Sequence, residues 1–207
     1  MKKRRVQKIG FEIKPFDDLV VFDLETTGFA PADIIQIAAV RMTGGRIIEK
    51  DSFFSYVKPG RPLDDFIIGY TGITEKDVEK APPPDAVIAQ FIRYCKESLL
   101  VAHNGQSFDV PKIRGVCEKY GIRTPHLESI DSMHLSWNLW GRRRVSSHGL
   151  DAVIARSMVS KEGIRRHDAR GDVMMTAKCV QHMVNELEKR VEGISLNINN
   201  CLFPQMV

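Results

Sequence analysis

The stretch that most constrains the fold is Leu19-Val-Val-Phe-Asp-Leu-Glu25, an apolar run broken only by two acids and closed by Thr26-Thr-Gly28. It is short for a buried helix and ends in a turn signal, so it reads as a strand inside a sheet. Residues two apart on a strand share a face, which puts Asp23 and Glu25 together on an otherwise apolar segment. Two such carboxylates repel each other, and burying them is costly unless protons or cations compensate. Hard divalent cations prefer oxygen ligands, so the pair invites a metal; a wet strand face is the ordinary alternative.

The segments after Gly28 can cover that strand. Ile34 to Met42 and Ile47 to Val57 read as two further strands, and the Thr43-Gly-Gly45 turn between them predicts an antiparallel meander. Thr74 opens a Thr-x-x-Asp capping signature, and Pro82-Pro-Pro84 separates its short helix from a longer one over Asp85 to Lys96. Leu99-Leu-Val-Ala102 is a fourth buried strand. Ser107 to Tyr120 carries Val110, Ile113, Cys117 and Tyr120 as a helical stripe that Gly121 terminates. A last long helix, Asp168 to Arg190, presents Val173, Ala177, Val180, Val184 and Leu187 on one face. Strands followed by strand–helix alternation predict an α/β protein with a mixed sheet.

The 207 residues, 43% of them hydrophobic, suffice for one core without disulfides, and no apolar run approaches the roughly 18 residues of a membrane span. Membrane, collagen-like and fully disordered readings drop out. Met1-Lys-Lys-Arg-Arg5 imitates the start of a signal peptide, but Phe11-Glu-Ile-Lys14 interrupts the apolar stretch that should come next, so no export is expected. Cys95, Cys117, Cys179 and Cys201 lie far apart with no CxxC pair, which suggests neither a zinc site nor a disulfide framework. A reducing, cytoplasmic setting is the expectation.

The net charge of +4 owes much to Lys2, Lys3, Arg4, Arg5 and Lys8; the other 25 basic residues nearly balance the 26 acids. Residues 141–170 nonetheless hold eight Arg and Lys against three acids. Such a run is either a solvated face or a dock for a polyanion.

Three more candidates lie downstream. Asp109 follows His103-Asn-Gly-Gln-Ser-Phe where the fourth strand feeds a helix, a place where α/β folds gather functional groups. His167 and Asp172 are five apart and could not share a helix face. A helix starting after Asp168 resolves this: Asp168 becomes the N-cap, His167 falls on the preceding loop, and Asp172 points from the first turn toward the same end.

Taken together, Asp23-Leu-Glu25-Thr-Thr-Gly28, His103-Asn-Gly-x-x-Phe-Asp109 and His167-x-Ala-x-Gly-Asp172 resemble the three motifs of the DnaQ-like, or DEDDh, 3′-5′ exonuclease family. Ile34-Ile-Gln-Ile-Ala and Thr71-Gly-Ile-Thr74 are lesser matches. The first motif is most similar to the polymerase III proofreading branch, the second and third to the TREX-type branch. The resemblance implies a ribonuclease H-like fold, a mixed five-stranded sheet flanked by helices, as an exonuclease domain over residues 9–190. A basic flexible tail over 1–8 and a C-terminal tail over 191–207 would flank it.

It further implies a two-metal phosphodiester hydrolase that releases nucleoside monophosphates from 3′ ends. Asp23, Glu25, Asp109 and Asp172 would hold two divalent cations, Mg²⁺ or Mn²⁺, and His167 would accept the proton of the attacking water. Thr26 and Thr27 would offer backbone N–H groups to the 3′ end, and Phe29 would stack on the terminal base. His103 and Asn104 would orient Asp109 or approach the substrate. Arg142, Arg143, Arg144, Arg165 and Arg166 are candidate phosphate contacts. Single-stranded or frayed DNA is the favoured substrate, in proofreading or repair, with a DNA polymerase or other replication protein as a partner and no membrane. An RNA-trimming enzyme and a noncatalytic polymerase-associated module are the alternatives.

Overall fold

The computed structural model describes residues 18–28, 32–96, 98–124 and 127–189; both expected tails and Phe29 lie outside them. Strand β1 (Leu19–Thr26) pairs antiparallel with β2 (Ile34–Thr43), and β2 with β3 (Arg46–Tyr56), the meander expected from the turn at 43–45. Strand β4 (Leu99–Ala102) lies parallel to β1, and β5 (Ser129–Asp131) parallel to β4. The sheet is therefore mixed and five-stranded, in the order β3-β2-β1-β4-β5.

Helices cover both faces: α1 (Asp65–Thr71), α2 (Glu75–Val78), α3 (Pro84–Cys95), α4 (Asp109–Tyr120), α5 (Ser132–Trp140), α6 (Leu150–Arg156) and α7 (Ala169–Glu188). The Thr74 signature is a complete capping box with Asp77, and Gly121 ends α4 in the left-handed conformation. α1, α5, α6 and β5 had no counterpart in the sequence pattern.

The twofold alternation of β1 sorts the two cores. Val20, Phe22 and Leu24 pack with Ile88 and Phe91 of α3 and Ile113 of α4. Leu19 and Val21 pack on the opposite face with Val173, Ala177 and Val180 of α7 and Leu135 of α5. Asp23 and Glu25 continue that second row, so they emerge on the α7 face once the apolar residues end. Because β1, β4 and β5 run parallel, their carboxyl ends gather the loops that enter α4 and α5 at one edge of the sheet. Among the described residues, no helix is long and apolar enough to cross a membrane.

Candidate active site

At the end of β1, Asp23 is half-buried and Glu25 buried. β4 pairs with β1 only as far as Val21, which leaves the Leu24 N–H without a ladder partner on that side. Asp109, the first residue of α4, fills the gap: its Oδ1 accepts the Leu24 N–H at 3.1 Å. The loop leading to it hangs on buried Asp131, which accepts the Asn104 N–H (2.9 Å) and the Met133 N–H (2.9 Å).

The amino end of α7 supplies the rest. Asp168 caps the helix by accepting the Arg170 N–H at 3.0 Å, leaving Asp172 in the first turn and His167 on the loop before it. Buried Gln36 of β2, beside Glu25 in register, accepts the Ala169 N–H at 2.7 Å and so fixes α7 against the sheet. Gly171 lets the loop before α7 fold back onto the helix: a β-carbon there would sit 2.2 Å from the Arg165 carbonyl oxygen. The His167 N–H reaches Asp172 Oδ2 at 3.3 Å, and its imidazole stacks on Tyr70 of α1 with ring centroids 3.9 Å apart. One ligand atom each from Glu25, His167 and Asp172 lie within 4.8 Å of one another, a spacing that fits one metal ion.

The charge is unbalanced. Burial, then the carboxylates of Asp109, Glu25 and Asp172, push Asp23 well above the usual carboxylate range. Burial followed by Asp172 and Asp109 raises Glu25 to about 8, and burial raises Asp109 to about 8 despite the Leu24 hydrogen bond. Burial and the Arg166 guanidinium hold His167 below its ordinary value, which favours the neutral imidazole that can accept a proton. Among the described residues, the basic side chain that enters this cluster is Arg166, which pairs with Asp172.

Other expected substrate contacts fare differently. The Thr27 N–H is donated to the Asp33 carbonyl (2.9 Å), a bond that closes the chain between β1 and β2. His103 is turned inward: Nε2 donates to the His148 carbonyl (2.9 Å) and Nδ1 accepts from Ser132 (2.8 Å). Thr26 bonds the Gly28 carbonyl at 2.7 Å, and the Asn104 side chain is exposed. Arg142 lies over the Trp137 ring at 4.5 Å, Arg143 and Arg144 are exposed, and the exposed Arg165 packs its guanidinium against Gly72.

Sequence reasoning missed Tyr70 and Phe66, whose rings stack at 5.8 Å and are 48% and 72% exposed, extending the imidazole stack into solvent. The adjoining Thr71-Gly-Ile-Thr74 match was the available signal. It also missed Arg61, whose Nη2 bonds Thr27 Oγ1 at 2.8 Å.

A family model described as exonuclease, RNase_T, matches residues 20–180. A PolC-type DNA polymerase III from Streptococcus pyogenes serotype M1 is 37% identical over 179 residues, 83% of this chain. The chain spans only 12% of the length of that relative. Among solved structures, the cell-death related nuclease 4 (CRN-4) superposes with a TM-score of 0.73 at 25% identity, over 89% of this chain and 67% of that one. The nuclease domain of 3′hExo, a DEDDh family member bound to rAMP, superposes at 0.73 with 22% identity, over 93% and 99% of the two chains. The fold is thus the ribonuclease H-like fold of these exonucleases.

Proposed function

The chain belongs to the RNase_T exonuclease family, and from that premise we propose that it removes nucleoside monophosphates one at a time from the 3′ ends of DNA. The observation that carries this reading is the convergence of Asp23, Glu25, Asp109 and Asp172 with the His167 imidazole at the carboxyl edge of the sheet.

Carboxylates that raise one another's pKa in a half-buried site need positive charge, and the oxygens of Asp23, Glu25, Asp109 and Asp172 suit Mg²⁺ or Mn²⁺, with the His167 nitrogen beside Glu25 and Asp172 kept for the proton. A pair of such ions, when bound, polarises phosphoryl oxygens and makes a bound water acidic enough to attack. Asp23, Glu25, Asp109 and Asp172 are the residues that would hold them. His167, kept neutral by burial and Arg166, takes the proton of the attacking water. The Tyr70 stack holds the imidazole in place, and the exposed Phe66 and Tyr70 rings offer bases a surface that tolerates any sequence. Arg142, Arg143, Arg144 and Arg165 contact phosphates upstream of the scissile bond.

DNA is favoured over RNA by the likeness to DNA polymerase III chains, which also makes a polymerase the expected partner and the cytoplasm the expected compartment. The exonuclease domain is taken as residues 9–190, with tails over 1–8 and 191–207.

Digestion of end-labelled DNA and RNA oligomers, single- and double-stranded, with Mn²⁺ and with EDTA, tests the reading. Stepwise shortening from the 3′ end of single-stranded DNA, abolished by EDTA, is expected. Preferential loss of RNA would move the substrate to RNA, and no loss with Mn²⁺ would leave a noncatalytic binding module.

A further inference from the structure

The acids of this site greatly outnumber its cations, yet one cation is built in. Arg166 immediately precedes His167, and its side chain is 18% exposed. One edge of its guanidinium, at Nη1, pairs with Asp172 Oδ1. The other edge faces Asp151 in the first turn of α6, with Nε 3.1 Å from Oδ1 and Nη2 3.4 Å from Oδ2. Asp151 is anchored in turn by Lys161 Nζ at 2.7 Å and is largely exposed. The guanidinium therefore bridges a buried carboxylate inside the acidic cluster and an exposed one outside it.

That bridge has a consequence for ion loading. A planar fork of donors remains held when one of two carboxylates is withdrawn, because the second edge is already engaged. A buried carboxylate stripped of its only cation is strongly unfavourable, so a chain without bound ions needs an internal partner at Asp172. An incoming cation must compete with that partner.

We propose that Arg166 is the resident counter-ion of the site, a positioning residue that occupies Asp172 until a divalent cation loads and is then retained by Asp151. This rests on the reading of Asp172 as a metal ligand. Arg166 thereby sets the concentration at which the site fills, and Asp151 keeps the released guanidinium beside the site, ready for a substrate phosphate.

Titration of the full chain with Mn²⁺ alone, read from the electron paramagnetic resonance of free Mn²⁺, tests this without any turnover; thermal melts report folding. Arg166→Gln is expected to tighten Mn²⁺ binding about tenfold, as when Arg166 leaves Asp172 free only about a tenth of the time. Asp151→Asn is expected to weaken it about threefold by the same arithmetic, since the retaining carboxylate is lost. The double variant is expected to match Arg166→Gln. Unchanged or weaker binding in Arg166→Gln, or an Asp151→Asn effect that persists in the double variant, would overturn the role of Arg166 alone. A wild-type chain that binds no Mn²⁺ would overturn the metal reading itself, and this inference with it.

Discussion

Strand β2 carries a buried polar group toward each end, Arg41 and Gln36, and their surroundings differ sharply. Around Arg41, whose side chain is 10% exposed, each nitrogen is answered: Nε by Asp51 (2.7 Å), Nη1 by Ser98 (2.7 Å) and Asp18 (3.3 Å), Nη2 by the Tyr94 carbonyl (2.9 Å). Burial opposes its charge, but Asp51 and Asp18 outweigh that and push its pKa up. Beyond Gln36, the Arg166 guanidinium pairs with Asp172 and acts at longer range on Asp23 and Glu25, yet Asp23, Glu25 and Asp109 are all raised. A charge buried for structure is balanced by its neighbours, while the acids at the site are left in excess, as a cation-binding centre requires.

The largest test of this contrast is Asp23→Ala. Removing one of the mutually repelling carboxylates is expected to lower the single-turnover rate on a 3′-labelled oligomer by on the order of 10³-fold. The metal-free chain should melt at the same temperature or higher, because a repulsive group has gone. A variant that lost both rate and stability would make Asp23 a structural residue like Arg41.

Next in size is the pH dependence of the metal-free chain. Glu25 and Asp109 titrate near 8 when folded and in the ordinary carboxylate range when unfolded. Between these values the folded chain binds more protons than the unfolded one, so their contribution to stability is full in acid and is lost as pH rises toward about 8. Denaturant unfolding in EDTA should therefore show stability falling from about pH 5 to pH 8, and Mg²⁺ should flatten the slope by supplying positive charge instead of protons. A slope of the opposite sign would mean these carboxylates are compensated inside the protein.

Arg41→Ala breaks the balanced end instead. Asp18 and Asp51 are 51% and 43% exposed and regain water, so the loss is set below that of a fully buried pair, at about 2 kcal/mol. Activity per folded molecule should not change. Paired measurements of unfolding free energy and rate separate the outcomes, and a large fall in rate would couple the two ends.

The length of each element decides how much of this was legible in the sequence. β1 spans eight residues and α7 twenty, long enough for their periods to put Asp23 beside Glu25 and to demand the cap at Asp168. β5 has three residues and α1 and α6 have seven each, too few to establish a period. α5 hides its stripe differently: the positions it buries are Ser132, Leu135, Ser136 and Leu139, so half of its inner face is serine and no apolar pattern marks it. Arg166 sat in a basic run that suggested phosphate contacts, and only the return of α6 beside α7 brings Asp151 to its other edge. Composition registers a charge but not its partner when that partner comes from an element without a pattern.

The smallest effect is expected from Gln36→Ala, and it asks whether the active end relies on uncharged scaffolding as the other end relies on Arg41. Gln36 accepts the Ala169 N–H at 2.7 Å in a fully buried position, so the variant leaves one helix-terminal donor unanswered. Such a loss costs about 1 to 2 kcal/mol, which unfolding in denaturant will read. Because Ala169 lies three residues before Asp172, a loosened α7 should also shift Asp172 relative to Glu25. Mn²⁺ binding should therefore weaken by several-fold, roughly the equivalent of 1 kcal/mol. Gln36→Glu preserves the acceptor but adds another carboxylate beside Glu25. If neutral support is what this end requires, the Glu variant should recover the helix contact and still raise the proton affinity of the cluster. A Glu variant more stable than the Ala variant at acidic pH, with that advantage shrinking as pH rises, would separate the hydrogen bond from the charge.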